Sequence, residues 1–342
     1  MSTPIPTVPS GSWVLITGAN GHLASEIASQ FLSRGYRVRG TVRSVPSSSW
    51  LLDVFSSYVT TGHFELITVP DISIPTAFVS AVSDVSIILH VATLGFSSDP
   101  NKIIPPEVAA ARSLLTAASR EPSVKQFVLT SSVVAATGYH PTSTELITSN
   151  TWNEKAVKEA WAPPPYTDAR AFAVYSASKV ASEREVWRFR EEEKPQFGIN
   201  AVLPQTILGR RLNKECKSVS AALLPDLMEG RTEVHDSIVP AIFAVDVRDV
   251  ALLHVAAALD PEVDGQRLHA WGRPMTWNGA LRVLRGLFPK RKLIDDRKNN
   301  PSWNIRADVT KELALLKKWG GQDDWRPIEE TFLDNLDHIP RD

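Results

Sequence analysis

The stretch Trp13-Val14-Leu15-Ile16-Thr17-Gly18-Ala19-Asn20-Gly21-His22-Leu23-Ala24 decides how the rest of the chain is read. Residues 13–17 have the composition of a buried strand, the glycines at 18 and 21 mark a turn, and Leu23 to Leu32 has a helical pattern. Gly-x-x-Gly-x-x-Ala between a strand and a helix suits a pyrophosphate. It gives a tight bend, close approach of the backbone, and the amide donors and positive dipole of a helix N-terminus. Gly18, Asn20, Gly21, His22 and Leu23 are therefore candidate cofactor-binding residues, and Ala24 is small enough for the helix to lie on the sheet. The context, after a strand and before an amphipathic helix, makes this more than a chance glycine pair.

Working outward, further strands are expected at Tyr36–Val42, Phe64–Val69, Val85–Val91, Phe127–Thr130 and Ile199–Leu203, with helices over Glu107–Ser119 and Val174–Arg190. Several of these strands are continuously apolar rather than alternating, which indicates a parallel sheet covered on both faces. Past Pro204 the pattern loosens: helix over Ser218–Met228, extended chain over Ile238–Val245, helix over Asp246–Leu259 with Asp246 as N-cap, and a strand at Gln266–Trp271. Helices follow near 275–287, 307–318 and 327–337. The expected fold is α/β, a Rossmann-type doubly wound parallel sheet with a smaller, mostly helical C-terminal substrate-binding region. Residues 1–10 read as a flexible tail and 11–205 as the dinucleotide-binding domain, completed by about 238–271. Residues 206–237 and 272–342 read as the substrate-binding region, where most late tryptophans are expected to pack the subdomain.

Composition narrows the function. The 342 residues carry 37 basic and 38 acidic side chains, a net charge of -1, which argues against bulk attraction to nucleic acid or an anionic membrane. The single cysteine, Cys216, excludes an internal disulfide and a multi-cysteine zinc site, and no His-Glu-x-x-His occurs, so no metal is expected. No Gly-x-Ser-x-Gly elbow follows a strand, which removes a serine hydrolase. No apolar run is long enough to span a bilayer and the N-terminus does not read as a signal peptide, so a soluble, cytoplasmic protein is expected.

The near-zero sum hides a local imbalance. Arg34, Arg37, Arg39 and Arg43 occur with no acid before Asp53. Enzymes that use NAD usually end this second strand with a carboxylate on the ribose hydroxyls. Here Arg43 stands just past the strand end, where a guanidinium would pair with a 2′-phosphate, so NADP(H) is the expected cofactor. Arg37 and Arg39 read as solvent-facing strand residues.

Two further motifs carry chemistry. Tyr175-Ser176-Ala177-Ser178-Lys179 puts Tyr175 and Lys179 on one helix face. A phenol with an ordinary pKa of about 10 needs a nearby ammonium to exchange its proton near neutrality, and that ammonium can also bind a ribose. The fifth strand ends in Thr130-Ser131-Ser132, at the sheet edge where ligands bind in open α/β folds. Ser132 could donate to a substrate carbonyl oxygen while Tyr175 protonates it, with Ser131 the alternative.

The stretches VLITGANGHLASEIASQFLSRGYRVRGTVRS, SIILHVAT, PSVKQFVLTSSVVAA, VYSASK, NAVLPQTILG and ADVTKELALLKKWGGQDDWRPIEETFLDNL resemble the extended short-chain dehydrogenases/reductases. The likeness spans about residues 10 to 340 and lies in the branch of dihydroflavonol 4-reductases and microbial NADPH-dependent aldehyde and carbonyl reductases. The resemblance implies Ser132, Tyr175 and Lys179 as catalytic residues and Arg43 on the 2′-phosphate. It implies Asp71 and Ile72 beside the adenine, Ala92 and Thr93 along the cofactor, and Pro204 beside the nicotinamide. The implied reaction is hydride transfer from NADPH to an aldehyde or ketone carbonyl, in a monomer or homodimer, with a pocket formed by loops at 94–100, 136–168 and 205–240. The chain departs from the family at His22, usually aromatic or aliphatic, and at Ser113, where many members carry an asparagine that braces the active-site water and lysine. Two other readings stand beside it. One is a nucleotide-sugar epimerase or dehydratase with Leu208-Gly209-Arg210-Arg211 as a diphosphate clamp. The other is a non-catalytic dinucleotide sensor, a class that commonly loses the Ser/Tyr/Lys set.

Overall fold

The computed structural model describes residues 5–139, 144–216, 218–237 and 240–340. Strand β1 (Trp13–Thr17) leads through the glycine turn into helix α1 (His22–Ser33), followed by β2 (Arg37–Val42), β3 (Phe64–Thr68) and β4 (Val85–His90). Helix α2 (Pro100–Ser119), β5 (Gln126–Thr130), α3 (Ala171–Glu193) and β6 (Gly198–Val202) complete the regular half. After β7 (Thr206–Leu208) come β8 (Ile242–Asp246), α4 (Val247–Leu259), β9 (Arg267–Leu268) and β10 (Arg273–Met275). Helices α5 (Trp277–Leu287), α6 (Thr310–Gly320) and α7 (Ile328–Asn335) close the chain.

Seven strands pair in the order β9-β6-β5-β4-β1-β2-β3, every pair parallel. This is the doubly wound sheet expected from the continuous apolar strands, with its reversal of order between β1 and β4. One face is covered by α1, α4 and α6, where Phe31, Leu253 and Leu316 share a core with Val14 and Ile16. The other is covered by α2 and α3, where Leu114 and Val186 meet Leu15, Ile88 and Phe127. A second, three-stranded sheet joins β10 antiparallel to β8 and β8 parallel to β7. With α5 and α7 it encloses a separate core around Leu224, Trp277, Leu281 and Phe332. Asp246 caps α4 through the Arg248 amide, as its position suggested.

Several boundaries differ from the sequence reading for identifiable reasons. The segment read as a flexible tail is docked from Thr7 onward. The Thr7 amide donates to the Leu259 carbonyl, Val8 is buried, and Tyr36 donates its hydroxyl to the Val8 carbonyl at 2.6 Å. Proline and serine content suggested a loose segment, but one buried valine and these hydrogen bonds hold it down; residues 1–4 lie outside the described residues. Helix α2 starts seven residues before Glu107, because Asp99 caps it through the Asn101 amide with Pro100 in the first turn. Pro105 and Pro106 sit inside the helix, and the carbonyls they leave without donors belong to exposed Asn101 and Lys102, within reach of water. Helix α6, grouped by sequence with the substrate-binding region, packs instead on α4 in the dinucleotide half. Residues 218–228 form a 3₁₀ turn (Ser220–Ala222) and a short helix (Leu223–Met228) rather than one helix. The extended stretch near 238–245 is β8, and residues 238 and 239 lie outside the described residues.

Candidate active site

Because the main sheet is wholly parallel, every strand ends at the same edge. Gly18, Arg43, Asp71, Ala92, Ser132 and Pro204 each follow within three residues of the end of β1, β2, β3, β4, β5 and β6, and so share that edge. Gly18 has φ +64°, a left-handed conformation, and a Cβ built on it would stand 3.2 Å from both Cα and Cβ of Ala92. The turn can therefore lie against the β4 end only as glycine. In the middle of β2, a Cβ at Gly40 would meet Ala19 Cβ at 2.6 Å, so this strand yields space to the turn as well. Helix α1 begins at Gly21, which brings no side chain to cap it, and the leading amides face a position suited to an anion.

Thr17 ties the two sides of the crevice. Its hydroxyl oxygen accepts the Val91 and Ala92 amides, each at 3.0 Å, and its proton faces His90 Nδ1 at 3.0 Å. Burial pushes His90 down to about 4, so it is neutral. Asn20 donates to Ser48 Oγ at 3.0 Å, joining the turn to the 3₁₀ turn Pro46–Ser48 after β2. The His22 ring faces away from the turn: Nε2 lies 2.8 Å from the Arg210 carbonyl and Nδ1 3.2 Å from Ser218 Oγ. Burial lowers its pKa below the usual histidine value. The His22 ring is thus committed to the Arg210 and Ser218 side, and Leu23 behind it is buried, so only the backbone amides of these two residues face the turn's mouth at the helix start.

Arg37 and Arg39, read from the sequence as solvent-facing, are half-buried and held by protein partners, while Arg43 is exposed. Arg37 donates to the Gly11 carbonyl and lies over the Trp13 ring. Arg39 pairs with Glu65 at 2.6 Å and also lies over the Trp13 ring, 5.0 Å from its centroid. Arg43 is exposed and forms no ion pair among the described residues. Asp71, also exposed, accepts the amide and hydroxyl of Ser73, which hold its carboxyl below the usual range; Ile72 beside it is half-buried. Thr93 is exposed beyond Ala92. These residues fit a dinucleotide: a glycine cradle too tight for a side chain, an uncapped helix start, and a free guanidinium past β2.

The two serines at the end of β5 take different roles. Ser131 is buried and donates to Glu183 Oε2 at 2.6 Å, so its hydroxyl is committed. Ser132 is half-exposed and N-caps the short helix Val133–Ala136, its oxygen accepting the Val134 amide at 3.4 Å, which leaves its proton free. That short helix packs on α3, whose first turns carry Tyr175 and Lys179. Tyr175 is partly exposed, with the Phe96 ring stacked on it at 4.5 Å and Phe172 at 6.3 Å. Lys179 is 6% exposed, and its ammonium lies 3.5 Å from Glu107 Oε1. Pro204 is buried, and its carbonyl accepts the Val133 amide, joining the ends of β5 and β6.

Sequence reasoning missed Glu107, a buried acid on a helix whose other charged residues are exposed or half-exposed. It looked to Ser113, whose hydroxyl instead donates to the Ile74 carbonyl at 2.8 Å, away from the lysine. The clamp imagined at 210–211 is half spent: Arg210 makes a two-pronged pair with buried Glu26, both bonds 2.9 Å. Arg211 forms no ion pair among the described residues and acts electrostatically on His22 at the start of α1. Parts of the expected pocket loops, at 140–143, 217 and 238–239, lie outside the described residues. Tyr139, Phe243, Trp271 and Trp303 form an aromatic cluster between the two sheets. Trp303 also lines a cavity of about 300 Å³ with Met275, Thr276 and Ile305. Among the described residues no helix is long and apolar enough to cross a membrane, and no cluster of three His, Cys, Asp or Glu is arranged to hold a metal.

Comparison with known proteins agrees with this fold. Residues 14–268 match the model of the NAD dependent epimerase/dehydratase family. The chain is 38% identical to the NAD-dependent epimerase/dehydratase terH of Aspergillus terreus, over 98% of this chain and 99% of that protein. It is 36% identical to the ketoreductase nvfG of Aspergillus novofumigatus, over 95% and 96%. Among solved structures it resembles yeast methylglyoxal/isovaleraldehyde reductase Gre2 complexed with NADPH. The TM-score is 0.79 with 25% identity, over 96% of this chain and 98% of that one. The chain belongs to the NAD-dependent epimerase/dehydratase family, the extended short-chain dehydrogenases/reductases that its glycine turn and Tyr-x-x-x-Lys motif resemble.

Proposed function

We propose that the protein reduces an aldehyde or ketone carbonyl to an alcohol with NADPH as hydride donor. The observation that carries the reading is the buried Lys179 ammonium one turn along α3 from a partly exposed Tyr175, at the sheet edge that also holds the glycine cradle. The ketoreductase relative and the likeness to an NADPH-bound aldehyde reductase support it.

When bound, NADPH supplies the hydride that ends on the carbonyl carbon. The chain's own residues do the rest. The amides at the start of α1 and the Gly18 turn hold the pyrophosphate, and Arg43 meets the 2′-phosphate with no carboxylate competing for it. Asp71 and Ile72 border the adenine, while Ala92, Thr93 and Pro204 line the path to the reacting end. Ser132 donates its free hydroxyl proton to the substrate oxygen as negative charge develops there. Tyr175 gives its phenolic proton to the same oxygen. Lys179 holds a ribose hydroxyl and places positive charge beside the tyrosinate that results. A reducing, cytoplasmic setting suits Cys216, which is buried with its thiol pushed up by burial and takes no part. The protein works as a monomer or homodimer on a small-molecule substrate.

A panel of aldehydes, ketones and β-keto esters, followed by NADPH oxidation, tests the reading. Turnover with at least one carbonyl is expected, and no turnover with any would refute it. A second reading, nucleotide-sugar epimerisation or dehydration, has the name of the A. terreus relative in its favour. The commitment of Arg210 to Glu26 counts against it. Tightly retained NAD in the purified protein, with no preference for the 2′-phosphorylated cofactor, would decide for it.

A further inference from the structure

Glu107 is 3% exposed, as deeply buried as the ammonium it faces. One oxygen, Oε1, lies 3.5 Å from Lys179 Nζ; the other, Oε2, accepts the Leu94 amide at 2.9 Å. Leu94 lies in the stretch that leads from the end of β4 at His90 to the Asp99 cap of α2. Two residues on, Phe96 lies over the Tyr175 ring with the planes 29° apart. Phe96 is 52% exposed, so burial alone does not keep it there. Packing gives no reason for a carboxylate at this point either. The neighbouring contact of α2 with α3 is made by apolar Ile103, Ile104, Val174 and Ala177, and an apolar side chain would serve it. Burying a carboxylate is costly unless its partners need the charge and the acceptor. Here the ammonium from α3 needs the charge and the loop amide needs the acceptor. The remaining titratable neighbour, His90 from β4, is held neutral by burial.

We propose that Glu107 is a positioning residue for the carbonyl reduction, holding the Lys179 ammonium with one oxygen and, with the other, the loop that lays Phe96 on Tyr175. The inference rests on the reductase reading. It makes the cofactor-side cation and the substrate-side aromatic wall depend on a single carboxylate. The aromatic wall favours a carbonyl substrate whose group next to the reacting carbon is flat and apolar, since Phe96 and Phe172 flank the proton donor.

Two substitutions separate the two jobs. Glu107→Gln keeps an oxygen for the Leu94 amide but removes the charge that pairs with Lys179; Glu107→Ala removes both. Hydrogen exchange on the cofactor-free protein reads the loop directly. Residues 92–98 should exchange at close to the wild-type rate in Glu107→Gln and about tenfold faster or more in Glu107→Ala. Unchanged protection of β5 reports that the fold is intact. In turnover, Glu107→Gln should lower kcat about 10- to 100-fold. Phe96→Ala should lower kcat/KM in the wild-type background and have no further effect in Glu107→Ala. Wild-type kcat in Glu107→Gln, or unchanged exchange of 92–98 in a folded Glu107→Ala, overturns the proposal. If Glu107→Ala does not fold, the kcat of the isosteric Glu107→Gln decides. If the wild-type protein turns over no carbonyl, the reductase reading has failed, and the exchange measurement still judges the Glu107–loop contact.

Discussion

Helix α3 is anchored to the sheet by a buried charge network, and removing one member should unfold the protein far more readily than removing two. Glu183, one turn past Lys179, is fully buried; Arg267 on β9 is nearly so. Oε1 of Glu183 accepts Arg267 Nε at 2.6 Å and Trp187 Nε1 at 3.0 Å, and Oε2 accepts Ser131 Oγ at 2.6 Å. Arg267 also donates to the Ser149 and Thr151 carbonyls and lies over the Trp152 ring at 4.1 Å. Arg267→Met leaves the Glu183 carboxylate in the interior with only two neutral donors. Such an uncompensated charge costs about 3–5 kcal/mol. Glu183→Leu strands the guanidinium in the same way, although the two carbonyls it keeps reduce the loss, so about 2–4 kcal/mol is expected. The double variant Glu183→Leu/Arg267→Met removes both charges. It should recover to within about 2 kcal/mol of wild type instead of showing the sum of the single losses. Urea unfolding followed by tryptophan fluorescence and by circular dichroism measures all four proteins. A loss under about 1 kcal/mol in Arg267→Met, or additive losses in the double variant, would refute this account.

Tyr175→Phe should lower kcat by about 100-fold or more, the scale of a positioned general acid, with NADPH affinity nearly unchanged in a fluorescence titration. Arg43→Ala should weaken NADPH by about 10- to 100-fold, the worth of a charge-assisted bidentate contact, and leave NADH binding as it was. Equal losses for both cofactors would place Arg43 elsewhere. The pH dependence of stability has a separable component in Glu312. Burial raises its carboxyl from 4.5 to about 7, and Oε1 accepts the His269 amide at 2.6 Å. Between those values the folded protein keeps a proton that the unfolded chain has released. The stabilisation is therefore complete below 4.5 and lost as pH rises through about 7. Glu312→Gln should raise the urea midpoint above wild type on the alkaline side of that window, and an unchanged difference across it would contradict the sign. Buried His90, His254 and His269, each lowered to about 4, act in the opposite sense, losing stability as pH falls from 6.5 towards 4.

What could be read from the sequence follows which interactions are local. The β1–turn–α1 unit, the continuous apolar strands and the Asp246 cap were legible because each depends on residues close in the chain. That Arg43 stands apart from Arg37 and Arg39 was legible from its place just past the strand end; that Arg39 is largely buried against Glu65 was not, because Glu65 comes from the neighbouring strand. Ser132 was put ahead of Ser131 by the resemblance rather than by local pattern, because the physical reason lies in Glu183, over fifty residues away, and that acid shows no distinguishing pattern. Glu107 was invisible for the same reason: a glutamate on an amphipathic helix reads as solvated until the helix is packed on Lys179. Strand β10 was missed because Pro274 argues against a strand, yet it sits at the edge of the small sheet, where a missing amide is tolerated. The docked tail was missed because proline and serine report local looseness and say nothing of the slot that takes Val8.

The Arg210 contacts bear on how the cleft can open. Arg210 follows β7, the first strand of the smaller sheet, and it grips α1 twice, through its side chain on Glu26 and its carbonyl on the His22 ring. Strand β8 of the same sheet runs directly into α4, which lies on α1. The smaller sheet is thus riveted to the back of the nucleotide crevice at two places, and a hinge that swung the whole subdomain would have to break both. Breathing of the cleft should fall to the 93–99 stretch of its front rim, which neither rivet restrains and where Thr93 and Phe96 are exposed. Ligand entry should accordingly track the pace of loop motion rather than that of domain rotation.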